Sequence, residues 1–233
     1  MQMNNFNYAY SRLSFLRDIG FHPKTIVDGG AWHGDWNRMI KGIFPGSRVL
    51  SIEANAECAP YLNALEYEIA LLGDKDGKSV PYYATNCGAD TGNSIFLEQT
   101  VYFSENFLSV RELPMTTLDT LCQSRGIHAV DFLKLDVQGA ELIVLDGARD
   151  LLKTAEFVLL EVSILQYNAG APLMADVTRY MDEAGFQMFD ILETHFYSQY
   201  LNQIDILFVK KGSRYIPNLS RDASLQSPNP NTK

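Results

Sequence analysis

The chain has 233 residues, of which 46% are hydrophobic, and it carries a formal net charge of −9. This length suits one α/β domain with a full core better than two domains. The negative charge argues against nucleic-acid binding, which relies on Lys and Arg neutralising phosphates, so a small or neutral partner is favoured. No apolar run approaches the roughly 20 residues of a membrane helix, and the polar start lacks a signal-peptide pattern. We therefore expect a cytoplasmic protein without a membrane span.

The first predicted elements are a helix and a strand that ends in glycines. Residues 8–19 have apolar side chains near helical spacing, so residues 1–22 are interpreted as a helical cap on the sheet. Residues 25–34, TIVDGGAWHG, are typical of a strand that turns tightly into a helix. Glycines in such a turn permit positive φ angles and close approach of a ligand, and the following helix, with Asp35 as its predicted N-cap, offers unpaired N–H groups.

The second predicted strand, 49–53, ends in a carboxylate at Glu53, which stands 25 residues after Asp28. At this separation a βαβ unit presents an acid to the ribose hydroxyls of an adenosine-containing ligand. The spacing Asp28-x-Gly30-x-x-x-Gly34 lacks the third glycine of the dinucleotide fingerprint, and Asp28 would repel phosphate. S-adenosylmethionine has a sulfonium and an ammonium group but no phosphate, so it fits this turn better than NAD does.

The rest of the chain continues the alternation of strands and helices. A third strand, 67–72, is expected to form a hairpin with 79–83 through a turn at 74–77, and 84–111 should be a loop across the mouth of the cofactor site. Thr116 or Thr117 should cap a helix that ends near residue 125. Apolar runs predict buried parallel strands at 131–136 and 157–162. The last predicted elements are a helix after residue 136, a helix at 173–184, strands at 186–192 and 204–209, and a disordered polar tail at 213–233.

Four segments carry a resemblance to a known family: 27–34 (VDGGAWHG), 51–55 (SIEAN), 117–119 with 131–141 (TLD and DFLKLDVQGAE), and 160–162 (LEV). Through them the chain resembles, from about Gly20 to Lys211, the FkbM-type family of class I S-adenosylmethionine-dependent methyltransferases. The resemblance implies an α/β, Rossmann-like, doubly wound sheet of seven mostly parallel strands, with the last strand antiparallel and helices on both faces. It also implies a single methyltransferase domain over residues 1–212. Members often have Asn, Pro and Glu where Trp32, Ala54 and Gln138 stand here.

Acidic side chains fall at the ends of four predicted strands: Asp28, Glu53, Asp136 and Glu161. Ligands of open α/β sheets bind beyond the carboxyl ends of the strands, although each acid could instead cap the helix that follows it. The resemblance implies cofactor contact for Asp28 and Glu53, with Glu53 accepting from both ribose hydroxyls. The cofactor-binding residues that we predict are Asp28, Gly30, Ala31, Gly34, Glu53, Asn55, Leu71 and Asp136.

Methyl transfer to a hydroxyl also requires removal of a proton. Asp136 is the first candidate for the catalytic base, because the end of the fourth strand lies beside the methyl group in this fold; the reserves are His33, His195 and Glu161. Tyr167 and Asn168 are candidate substrate residues, the alternative being an ordinary loop before the next helix. Asp136 could hold a cation with a second acid, but no ligand cluster is visible in the sequence, so no metal is assigned.

The sequence therefore predicts an S-adenosylmethionine-dependent methyltransferase. The resemblance implies that it acts on an oxygen of a sugar, glycan or other small metabolite. Two alternatives remain open: a nicotinamide-dependent oxidoreductase on a related fold, and a methyltransferase-like domain that only binds. The first would bind a dinucleotide, and the second would not bind the methyl donor.

Overall fold

A computed structural model describes residues 5–85, 91–100 and 108–218. The strands are β1 (Thr25–Gly29), β2 (Arg48–Glu53), β3 (Glu66–Ile69), β4 (Leu71–Leu72), β5 (Ser79–Thr85), β6 (Leu108–Thr116), β7 (Phe132–Leu135), β8 (Phe157–Ser163), β9 (Phe186–Tyr197) and β10 (Tyr200–Lys210). The helices are α1 (Asn5–Asp18), α2 (Asp35–Ile43), α3 (Ala59–Leu62), α4 (Leu118–Ser124), α5 (Glu141–Asp146), α6 (Arg149–Thr154) and α7 (Met174–Glu183), with a 3₁₀ turn at Ala56–Cys58.

A seven-stranded sheet in the order β3-β2-β1-β7-β8-β10-β9 forms the centre of the molecule. In this sheet β3, β2, β1, β7 and β8 pair in parallel, and β10 runs antiparallel to both of its neighbours, β8 and β9. This confirms the predicted doubly wound sheet with an antiparallel last strand. All four residues of β7 are buried, as expected for a parallel strand covered on both faces.

Successive side chains of the central strands enter opposite halves of the core, as the two-residue period of a strand requires. Ile26 and Phe132 belong to a cluster that includes side chains of α1 and α2. Their neighbours Val27 and Leu133 belong to a second cluster that includes side chains of α4, α6 and α7. The sheet is therefore packed against helices on both faces, and its carboxyl edge remains available for a ligand.

The prediction of a hairpin between residues 67–72 and 79–83 is wrong. Instead β5 pairs antiparallel with β6, which pairs parallel with β4, so these strands form a separate sheet in the order β4-β6-β5. The expected third strand divides at Ala70, whose N–H donates to the carbonyl of Glu53. Turn residues at 74–77 suggested a local partner for β5, but its partner lies in β6, a strand that begins within the expected loop.

Two further boundaries differ from the sequence prediction. The expected loop at 84–111 is a strand up to Thr85 and again from Leu108, while residues 86–90 and 101–107 lie outside the described residues. Asp35 is the first residue of α2 rather than its N-cap; Gly34 occupies the N-cap position with φ +81° and no side-chain cap. Thr117 caps α4 as predicted, because its side chain accepts from the N–H of Thr120.

The C-terminal segment packs on the core where the structure describes it. The Tyr215 ring centroid lies 5.5 Å from that of Phe21 and 5.6 Å from that of Phe157. The remaining part of the predicted tail, 219–233, lies outside the described residues. Within the described ranges, no helix has the length and apolar character needed to cross a membrane.

Candidate active site

A cavity of about 430 Å³ opens at the carboxyl ends of the parallel strands. It is lined by groups from β2, from the turns after β1 and β7, and from β8, β9 and β10. Predicted site residues in its lining are Gly30, Glu53, Leu71, Asp136, Glu161, Tyr167 and His195. Predicted residues outside the lining are Asp28, Ala31, His33, Gly34, Asn55 and Asn168. The sheet order places Glu53 on the β2 side of the cavity, Glu161 and His195 on the β8–β10–β9 side, and Asp136 between them.

Glu53 is held rigidly at the end of β2. Its Oε2 accepts from the N–H of Trp32 and its Oε1 from the N–H of Asn55, both at 2.8 Å. The side chain is almost fully buried, and burial raises the pKa of Glu53 despite these two hydrogen bonds. Each carboxylate oxygen has a further lone pair, so Glu53 can accept from two additional donors in the cavity.

The glycine turn after β1 brings the chain against the end of β7. Gly30 has φ +76°, and a Cβ at this position would lie 1.8 Å from the carbonyl oxygen of Asp136. The N–H groups of Gly30 and Ala31 both donate to the carbonyl of Ile52, at 2.9 and 3.1 Å. With the N–H of Trp32 donating to Glu53, three successive amides of this turn point into the protein. The turn therefore lacks the outward-facing amides that a pyrophosphate cradle needs.

His33 is separated from the cavity by an aromatic stack. Its ring lies between those of Trp32 and Tyr61, with centroid distances of 3.9 and 3.7 Å. Gly34 has φ +81°, a conformation that other residues rarely adopt, and a Cβ there would also crowd a methyl carbon of Leu65 at 2.5 Å. The side chain of Asn55 accepts from the N–H of Glu57 and caps the 3₁₀ turn. These residues shape the wall behind the cavity.

A buried ion pair lies beneath the glycine turn. Asp28 is fully buried, and its Oδ1 lies 3.2 Å from Nζ of Lys134. The same Nζ donates to the carbonyl of Gly30 at 2.9 Å and lies 3.5 Å from Oδ2 of Asp136. Burial raises the pKa of Asp28, and Lys134 only partly offsets it. Burial lowers the pKa of Lys134, but Asp28 and Asp136 outweigh it and leave that pKa raised overall.

Gln138 connects the two acids on the other side of the cavity. Its Nε2 donates to Oδ1 of Asp136 at 2.9 Å and to Oε2 of Glu161 at 2.7 Å. Gln203 donates to the same Oε2 at 2.7 Å. Burial and the nearby carboxylates of Asp136 and Asp205 raise the pKa of Glu161 well above its usual value. The amide of Gln138 therefore supplies a donor to two acids, which a carboxylate at this position would not.

His195 and Asp205 form a pair on the adjacent strands β9 and β10. The His195 Nε2 lies 3.2 Å from Oδ1 of Asp205, and this contact raises the pKa of His195. His195 lines the cavity. Sequence reasoning overlooked Lys134, Gln203 and Asp205 as members of the site. A lysine within the apolar string FLKL was a usable signal for a buried ion pair, but the other two lacked one because their partners are distant in sequence.

The segment 91–100 covers part of the cavity and is attached to the chain after β8. Ser94 Oγ and Asn168 Nδ2 both donate to the carbonyl of Gln138 at 2.8 Å. The N–H of Gln99 donates to the carbonyl of Tyr167 at 3.0 Å. Asn168 is fully buried by these contacts, whereas Tyr167 lines the cavity. Burial, together with a hydrogen bond to a carboxylate, raises the pKa of Tyr167, so its hydroxyl stays protonated.

Known proteins are similar to this chain in sequence. A family model described as "Methyltransferase FkbM domain" matches residues 18–188. A relative, 2-O-methyltransferase NoeI from Sinorhizobium fredii (strain NBRC 101917 / NGR234), is 25% identical over 169 residues, which are 65% of this chain and 68% of that protein.

One solved structure shares the fold, and a second is a weaker match. Methyltransferase FkbM from Methylobacillus flagellatus KT has 16% identity and a TM-score of 0.51; the match covers 87% of this chain but only 50% of that one. This chain therefore spans half the length of that protein. Magnesium protoporphyrin IX methyltransferase (ChlM) from Synechocystis PCC 6803 with bound SAM has 11% identity and a TM-score of 0.49, covering 88% of this chain and 78% of that one.

Proposed function

Because the chain belongs to the FkbM family of S-adenosylmethionine-dependent methyltransferases, we propose that it methylates a hydroxyl oxygen of a sugar, glycan or other small metabolite. The observation that carries this proposal is the division of the cavity. One side has a fixed carboxylate, Glu53, beside apolar walls, and the other has hydrogen-bonding side chains from Glu161, His195 and Gln203. The relative NoeI is named as a 2-O-methyltransferase, which supports oxygen as the acceptor atom.

The β2 side of the cavity fits the methyl donor. Glu53 has lone pairs for two ribose hydroxyls, and Ile52 and Leu71 provide apolar surface for adenine. At Gly30 the absence of a side chain lets the turn pack directly against the backbone of Asp136, at the edge of the cavity where we place the methionine part. Asp28, Ala31, Gly34 and Asn55 contact the protein itself, so we assign them the role of positioning this surface.

The β8–β10–β9 side fits a polyhydroxylated acceptor. Amide, imidazole and carboxylate groups there can each donate to or accept from a sugar hydroxyl. Tyr167 adds a phenol that stays protonated, and its ring can pack against the apolar face of a sugar. Asn168, by contrast, holds the covering segment in place through Gln138, so we propose a positioning role for it.

When bound, S-adenosylmethionine supplies a methyl group on a positively charged sulfur. The chain must align the acceptor oxygen in line with that carbon, an effect that contributes about 7–11 kcal/mol when alignment is ideal. Asp136 lies between the two sides of the cavity and takes the hydroxyl proton as the oxygen–carbon bond forms and the sulfur–carbon bond breaks. Gln138 and Lys134 hold the Asp136 carboxylate in position.

Transfer of labelled methyl groups tests the proposal. The purified chain is incubated with methyl-labelled S-adenosylmethionine and a panel of monosaccharides and oligosaccharides, and products are identified by NMR and mass spectrometry. We expect an O-methyl ether on at least one acceptor. A product methylated on nitrogen would contradict oxygen as the acceptor, and calorimetry that detects no binding of the donor would indicate a domain that only binds other partners.

A further inference from the structure

Three carboxylates lie in one row across the last three strands of the sheet. In the strand register, Glu161 on β8 is directly opposite Asp205 on β10, and Asp205 is directly opposite Glu193 on β9. Residues directly opposite each other project from the same face of a sheet, and like charges in such pairs destabilise it. This row is partly buried, so water screens the repulsion only in part.

Two basic side chains lie near this row, but together they do not balance its three carboxylates. Lys134 already pairs with Asp28 and Asp136 and donates to a backbone carbonyl. His195 contacts Asp205 through Nε2 and lies two residues beyond Glu193 on the same strand. The row therefore has an excess of negative charge that a bound cation would offset.

The side chains in this region also have the geometry of a metal-binding site. One ligand atom each from Glu161, His195 and Asp205 lies within 4.8 Å of the other two. Two ligand atoms with bonds of roughly 2.0–2.2 Å to one ion are at most about 4.4 Å apart, so these three side chains could share an ion after small adjustments. We propose that Glu161, His195 and Asp205 bind a divalent metal cation at the acceptor side of the cavity.

Neighbouring amides support the orientation that such a site needs. Gln138 and Gln203 both donate to Oε2 of Glu161, which fixes the plane of the carboxylate while the other oxygen receives neither of these bonds. Hydrogen-bonded carboxylates of this kind are usual around metal sites. Two carboxylates and one imidazole suit Mn²⁺, because they combine the oxygen ligands that Mg²⁺ prefers with the nitrogen ligand that later transition metals prefer.

The position suggests a role in binding the acceptor. Glu161 and His195 both line the cavity, so a cation held there is open to a further ligand. An acceptor hydroxyl bound to the cation would lose its proton more readily, because the metal stabilises the alkoxide. This role rests on the proposed function, whereas the binding site itself does not.

Binding of Mn²⁺ to the full chain tests the site without any methyl transfer. Free Mn²⁺ is measured by electron paramagnetic resonance during titration of the purified protein after treatment with a chelator. We expect one Mn²⁺ per chain, displaced by excess Mg²⁺. Asp205→Asn and His195→Gln should each weaken binding by about tenfold or more. Circular dichroism confirms that each variant is folded. If Asp205→Asn does not fold, the binding measurement on His195→Gln tests the site.

Glu193→Gln is the matched control, because it removes a charge from the same row without removing one of the three proposed ligands. It should change the Mn²⁺ affinity by less than about threefold, as a charge effect screened by solvent would. Equal weakening in Glu193→Gln and Asp205→Asn would overturn coordination in favour of diffuse attraction. Absence of binding up to about 1 mM Mn²⁺ would also overturn the site. If the protein transferred methyl groups but bound no Mn²⁺, the proposed function would be retained and the metal site would be rejected.

Discussion

Asp136 is the residue of the cavity that we propose as the catalytic base. Its side chain is 36% exposed, with one oxygen accepting from Gln138 and the other near Lys134. Asp136→Asn keeps the size of the side chain and removes its capacity to take a proton. We expect turnover at saturating donor and acceptor to fall by roughly 10²- to 10⁴-fold, while donor affinity changes little. Single-turnover methyl transfer and calorimetry measure the two quantities.

Asp131→Asn is a matched control for this substitution, because Asp131 lies at the opposite end of β7 and accepts from the backbone N–H groups of Lys24 and Thr25. It should leave turnover close to that of the unchanged protein. A near-native rate in Asp136→Asn would remove Asp136 as the base and would leave His195 and Glu161, the other two predicted bases in the cavity lining, as candidates.

Glu53 is the residue that we propose binds the ribose of the donor through its fixed carboxylate. In Glu53→Gln one backbone N–H, from Trp32 or Asn55, must face the amide NH₂, because both carboxylate oxygens accept in the native protein. We expect the dissociation constant for S-adenosylmethionine to rise by about 10- to 100-fold, as for the loss of a hydrogen bond to a charged group. Calorimetry below the unfolding transition of the variant measures this change.

Glu57→Gln controls for the loss of charge, since Glu57 lies in the adjacent 3₁₀ turn and its side chain is 73% exposed. Its donor affinity should match that of the unchanged protein. If Glu53→Gln bound the donor as tightly as the unchanged protein does, Glu53 would not contact the ribose.

At the scale of elements, the turn at 74–77 connects β4 to β5, but these strands do not pair as a hairpin. Instead the turn is held by hydrogen bonds to the start of α4. Asp76 accepts at 2.7 Å from the N–H of Thr117 and at 2.7 Å from the hydroxyl of Thr120. These bonds lower the pKa of Asp76 and satisfy donors at the start of α4, where a negative charge is also favoured by the helix dipole. The turn is therefore fixed to the start of α4.

Asp76→Ala should lower the free energy of unfolding by about 1–2 kcal/mol, the usual cost of losing a side-chain helix cap. Urea denaturation followed by circular dichroism measures the change. Asp74→Ala removes a carboxylate from the same turn that only pairs with Lys78 at the surface, so it should cost less than about 1 kcal/mol. Equal losses in the two variants would indicate that the contacts of Asp76 with α4 contribute nothing specific.

At the scale of the whole molecule, local patterns were sufficient for the main sheet but not for partners distant in sequence. The apolar runs ending in Asp28, Glu53, Asp136 and Glu161 predicted four strands and the acids at their ends. The partner of β5 could not be predicted, because the turn chemistry at 74–77 is also compatible with a hairpin. Contacts such as that of Lys134 with Asp28 depend on strand order, which a local pattern does not contain.

The free energy of unfolding should depend on pH, because several carboxyl groups are buried in the folded protein. Burial raises the pKa values of Asp28 and Glu53, and it raises that of Glu141 from 4.5 to about 7, with a smaller contribution from Asp136. Between pH 4.5 and 7 the folded state therefore binds a proton at Glu141 that the unfolded chain has lost. The slope of the unfolding free energy is then negative, so stability is present at lower pH and decreases as the pH rises through this window.

Glu141→Gln should make the unfolding free energy less dependent on pH between 4.5 and 7. The amide oxygen can still accept from the N–H groups of Val137 and Gly139, as Oε1 of Glu141 does, so the loss of ionisation is the main change. The unchanged protein should lose up to about 3 kcal/mol more than the variant across this window. Urea denaturation at several pH values measures the two curves, with the exposed Glu183→Gln as a control that should follow the unchanged protein. Parallel curves for the unchanged protein and Glu141→Gln would show that Glu141 is ionised throughout, because an already charged carboxylate releases no proton in this range.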